Sequence, residues 1–120
     1  MPSIKYVHLY NGDDGLAHFR DEEIDLTSAH GGVLSTAIMN ATGMLFRCNS
    51  ADYSLDWHPA PRKAFSINLK GAVEVTASDG EARVFGPGDI MLADDMGGKG
   101  HLSRAVGEED RVCLFVNVPD

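Results

Sequence analysis

Turn signals punctuate this chain at close intervals, and between them the apolar residues recur at every second position. The clearest case follows Arg62-Lys63, where Phe65, Ile67 and Leu69 alternate with Ala64, Ser66 and Asn68. In an extended strand successive side chains point to opposite faces, so this run has one greasy face and one small, polar face. The same punctuation recurs elsewhere. Ile4 to Tyr10 reads as a first strand ending at the Asn11-Gly12-Asp13-Asp14-Gly15 turn, and Leu16 to Leu26 suits an exposed strand or a short helical turn. Gly31-Gly32 breaks the chain before two short strands, Val33 to Met39 and Gly43 to Cys48, and Ala51 to Asp56 is a polar approach to the Trp57-His58 corner. Asp79-Gly80 is the strongest hairpin signal, Gly86-Pro87-Gly88-Asp89 opens a strand at Ile90, and a last run extends from Arg111 to Val118. The expectation is an all-β chain of nine or ten strands in a closed or nearly closed barrel.

Composition bounds what such a barrel can do. With 120 residues the chain is one domain, 1–120, with 13 glycines and 5 prolines favouring turns over long helices. Acidic residues outnumber basic ones by 18 to 10, giving a net charge of −8 that repels phosphate backbones, so no nucleic-acid partner is expected. No apolar run approaches the roughly 20 residues of a membrane span, and the amino terminus lacks a charged-then-apolar leader. A soluble cytoplasmic protein with no membrane partner is expected. Cys48 and Cys113 sit in apolar strand contexts and read as buried free thiols.

Two segments carry a family resemblance: Trp57 to Gly71, WHPAPRKAFSINLKG, and Phe85 to His101, FGPGDIMLADDMGGKGH. They resemble the two signature motifs of the cupin superfamily, with HPAPR and GxGH-type wording similar to a subgroup of small single-domain members. The likeness covers roughly Ala51 to Pro119. It implies a double-stranded β-helix, the jelly-roll barrel of that superfamily, with a metal or small-molecule site at its mouth. The first motif has the form H-x-H, a few residues, E, six residues, G; with Gly71 as the glycine, His58 is its first histidine while Ala60 and Ala64 stand at the second histidine and the glutamate. In the second motif Gly88-Asp89 leads a strand, and His101 follows two residues later than the family spacing.

Placed on that frame, His58 enters the cavity from a corner stiffened by Pro59 and Pro61, as an acid/base group, a metal ligand or a hydrogen-bonded structural residue. His101 follows the flexible Gly97-Gly98-Lys99-Gly100 approach and closes over a substrate or lies in a solvated loop. Asp94 and Asp95 face opposite ways along a strand, so one of them enters the pocket; Asp94 is put forward as base or ligand, with Asp95 the open alternative. Arg62 is a carboxylate clamp or a surface ion-pair partner, and Arg104, three residues past His101, points to the opposite face. Trp57, Tyr53, Ala64, Ser66 and Asn68 are candidate substrate contacts, the small ones leaving room for a ligand. His8, His18 and His30 lack such support.

Three classes of function stand side by side. One is an enzyme moving protons on a carbonyl-bearing or cyclic metabolite, as an isomerase, cyclase, dehydratase or lyase, with His58, His101, Asp94 and Arg62 in its machinery. Another is a metal-dependent cupin such as a dioxygenase, holding one divalent zinc, manganese, iron or nickel ion through His58, His101 and Asp94. The third is a non-catalytic binder of a small molecule. A homodimer is expected, because Val112, Leu114, Val116 and Val118 give the last strand a continuous apolar face; cover by the amino-terminal strands of the same chain is the alternative.

Overall fold

The computed structural model describes residues 2–120, and of Ser28 the backbone only. The described chain is all-β, with 12 strands and no helix. In chain order they are β1 (Ser3–Asn11), β2 (Ala17–Asp25), β3 (Ser28–His30), β4 (Val33–Ser35), β5 (Gly43–Asn49) and β6 (Ser54–His58). Then come β7 (Ala64–Lys70), β8 (Ala72–Ala77), β9 (Ala82–Phe85), β10 (Ile90–Asp94), β11 (His101–Val106) and β12 (Arg111–Asn117). More strands form than the alternation predicts. The β3–β4 hairpin forms about Gly31-Gly32, and the strand expected over Val33 to Met39 stops at Ser35. The stretch read as a polar approach holds β6, four of whose five residues are exposed, so it carries no buried-alternate pattern to read.

The strands form a six-stranded sheet, β2-β1-β10-β7-β12-β5, a four-stranded sheet, β6-β11-β8-β9, and the small β3–β4 pair. Neighbours are antiparallel except β1 and β10, which run parallel from Val7 opposite Met91 to Tyr10 opposite Asp94. Among the described residues no strand ladder runs from one sheet into the other, although the Asp79 N–H donates to the Ala17 carbonyl at 3.2 Å, and the expected closed barrel is observed as two open sheets face to face. Leu9, Phe19 and Met91 from the larger sheet meet Val73, Val75, Ala77 and Phe85 from the smaller, and this shared apolar layer joins them. Each of the larger side chains in this layer contributes about 1.5–3 kcal/mol on burial.

Two strands of the large sheet position the interior. On β7, Ala64, Ser66 and Asn68 are buried while Phe65, Ile67 and Leu69 lie on the outer side. On β12, Arg111 and Cys113 are buried inward, and Val116 turns outward to help line an apolar groove of about 390 Å³ with Phe65, Ile67, Tyr6 and residues 36–41. The backbone between β7 and β8 turns at Gly71, where φ is +70° and a Cβ would stand 2.6 Å from the Asp110 carbonyl oxygen, leaving no room for a side chain. Burial raises the Cys113 thiol above its ordinary value. Cys48, in contrast to the expectation of burial, is exposed, because β5 is the edge of the sheet and only alternate residues face inward. No helix of the described residues is long and apolar enough to cross a membrane.

Candidate active site

Between the sheets, beyond the apolar layer, lies a cavity of about 310 Å³. The small sheet supplies two histidines. His58 ends β6 and His101 begins β11, directly opposite one another in the antiparallel ladder, with ring centroids 4.4 Å apart. Gly100 makes this approach feasible: at φ +81° it runs against the backbone of His58 and Pro59, and any Cβ there would overlap the His58 carbonyl.

Each ring is held through Nδ1. His58 Nδ1 donates to the Asp56 carbonyl at 2.7 Å, and His101 Nδ1 donates to Asp95 Oδ2 at 2.6 Å. Asp95 is 0% exposed, and its second oxygen accepts the Ala60 backbone N–H at 3.3 Å. With Nδ1 as the donor in both bonds, Nε2 is the ring nitrogen left to accept a proton, and both residues line the cavity. An imidazole backed by a buried carboxylate is suited to taking up a proton at Nε2, since the negative charge steadies the cation as it forms.

The aspartate put forward for this role, Asp94, stands elsewhere. It closes β10 on the outer side, where its Oδ2 lies 2.9 Å from His8 Nε2 and 3.9 Å from Lys63 Nζ. The ligand set His58, His101 and Asp94 therefore does not converge, and among the described residues no group of three or more histidine, cysteine or carboxylate side chains could hold a metal ion. Asp95, the carboxylate that does approach, is engaged by His101 and by Ala60. The donors present do not fit a divalent metal site.

Other proposed contacts divide. Tyr53, Ala64, Ser66 and Arg62 line the cavity, Arg62 at its exposed rim, and the Tyr53 hydroxyl pairs with Ser103 Oγ at 2.9 Å. Trp57 stands outside the wall, exposed, with Lys99 Nζ 4.5 Å from its ring centre. Asn68 lies deeper and does not reach the cavity; its amide donates to the Gly71 carbonyl at 2.6 Å and its Oδ1 accepts from Arg111 Nε at 2.5 Å. Arg104 faces away and pairs with Glu74 at 2.7 Å.

Arg111 and Arg47 are cavity residues that the motifs did not point to. Arg111 is only 7% exposed; besides Asn68, its Nη2 donates to Ser66 Oγ at 3.2 Å. Burial, reinforced by the charge of Arg47, pulls the guanidinium below its ordinary value, yet arginine keeps its proton in proteins. The available signal was phase: Arg111, Cys113, Phe115 and Asn117 form the set opposite the outward valines of β12. No protein-family model matches the chain, and no curated protein does either.

Proposed function

We propose that this cavity is the active centre of a small cupin-type enzyme, built on the double-stranded β-helix plan, that moves a proton on a carbonyl-bearing or cyclic metabolite. The observation that carries the reading is the Asp95–His101 couple facing His58 across one cavity. His101 Nε2 takes a proton from a carbon next to a carbonyl, and the electron pair of the broken C–H bond moves onto the carbonyl oxygen as an enolate. Asp95 holds the resulting imidazolium. Return of that proton to another carbon completes an isomerisation; its transfer to a departing hydroxyl, which leaves as water, completes a dehydration. His58 faces the same space and serves as the second proton carrier. A divalent-metal oxygenase is less well served, since the donors do not converge.

The test uses the purified protein in deuterium oxide with a panel of enolisable carbonyl compounds, followed by NMR. Wash-in of deuterium that depends on protein and disappears in His101→Asn is expected. Saturable binding without exchange of any panel member would overturn the reading and leave a binding protein.

The exposed, unpaired Cys48 thiol suits a reducing cytoplasmic setting. A homodimer is part of the same proposal: Ile38, 99% exposed, projects beside the outer apolar groove, so each copy offers both a knob and a hole, as a two-fold contact needs.

A further inference from the structure

Arg111 is a buried cation without a buried anion. Its two protein acceptors, Asn68 Oδ1 and Ser66 Oγ, are neutral, and among the described residues no carboxylate lies within ion-pair distance of it. Asp95, the other charged group buried in this region, already accepts from His101 and Ala60. A charge taken out of water without a counter-charge is costly, and proteins keep such groups where a ligand or partner completes them. Arg47 and Arg62 line the same space, Arg47 with its guanidinium 4.8 Å from the Phe115 ring centre. Three arginines thus line one cavity of a chain whose net charge is −8.

From this we infer that the cavity binds a small organic acid, whose carboxylate is anchored by Arg111 at the wall formed by β12 and β7, with Arg47 and Arg62 toward the mouth. The inference names a substrate class for the site proposed above and rests on the ligand sharing that cavity. The shape of the free donors supports a carboxylate. Nε and Nη2 of Arg111 are bonded to protein, and the Nη1 side has no protein acceptor among the described residues. What remains is the end of a planar fork, which matches the two coplanar oxygens of a carboxylate. The volume, about 310 Å³, lies at the small end for ligand sites and suits a compact metabolite.

Calorimetric titration of the native protein with 2-oxo acids and their matched primary amides tests the inference, with inorganic phosphate as a further probe. Saturable binding of at least one acid is expected, with its amide weaker by about tenfold or more. Arg111→Lys keeps the charge and removes the fork, and should weaken the acid by a similar factor. If that variant does not fold, Arg47→Gln and the acid-to-amide ratio in the native protein still decide. Equal binding of acid and amide, no saturable binding of any acid, or phosphate binding in preference to all of them overturns the assignment. His101→Asn should retain acid binding while losing exchange. Acid binding without exchange in the native protein would sink the proton-transfer reading alone, and exchange on neutral carbonyl compounds with no acid binding would sink the carboxylate anchor alone.

Discussion

Asp14 and Asp79 both approach the His18 ring, at 2.8 Å and 3.0 Å. The Asp14 hydrogen bond is the largest cause holding the imidazole above its ordinary value, and the same bond holds Asp14 below the usual carboxyl range. The signs fix a window. The contribution of a raised histidine is complete below its ordinary value and fades as pH climbs through the raised one. That of a lowered aspartate is complete above its ordinary value and fades as pH drops through the lowered one. The contact is therefore at full strength between the ordinary carboxyl and imidazole values. NMR titration should find the His18 midpoint above that of histidine in a short peptide, and Asp14→Asn should bring it down. At the buried pair, Asp95→Asn should slow proton exchange by about 10²–10⁴-fold, measured by the deuterium wash-in. His101→Ala leaves the Asp95 oxygen unpaired in the interior and should cost about 1–3 kcal/mol in urea unfolding. Both histidines were visible in the sequence, from the proline corner and the glycine approach. The choice between Asp94 and Asp95 was not, since alternation says only that neighbours diverge and the end of β10 sets which one turns inward.

At the scale of elements, the β10–β11 connection governs how the histidines meet. Gly100→Ala would force the backbone of β11 away from His58 and should destabilise the fold by about 1–3 kcal/mol in the same unfolding assay, with exchange activity lost at temperatures where the protein remains folded. The hairpins announced by Asn11 to Gly15 and by Asp79-Gly80 form as read, joining β1 to β2 and β8 to β9. Leu16 to Leu26, open between strand and helical turn, resolves as β2 because pairing along the whole of β1 satisfies its backbone. No apolar rhythm marks β3 or β6: Ala29 and His30 are exposed, and so are four of the five residues of β6. Arg111 is legible only through phase: Val112 and Val116 mark the outward face of β12, and Arg111 alternates with them, but no motif marks it as a site residue.

Across the whole molecule, acidic residues outnumber basic ones by 18 to 10, while the cavity wall carries Arg47, Arg62 and Arg111. Added salt should weaken capture of an anionic ligand at the exposed Arg62 more than at the buried Arg111, so the salt dependence of binding should flatten in Arg62→Gln. Light scattering at several concentrations should report a dimer, and Ile38→Asp should shift it toward monomer without unfolding it; a strictly monomeric native protein would refute the association. The two histidines ride on the small sheet and Arg111 on the large one, with the apolar layer between them. On the proposed reading the gap between the sheets would act as a calliper: one jaw would grip the acid end of a ligand, the other would carry the base, and the thickness of Val73, Val75 and Met91, which line the cavity, would set the jaw opening. Enlarging or trimming those three side chains would change which carbon of a bound chain meets the base, so chain-length preference would be decided by residues that never touch a proton.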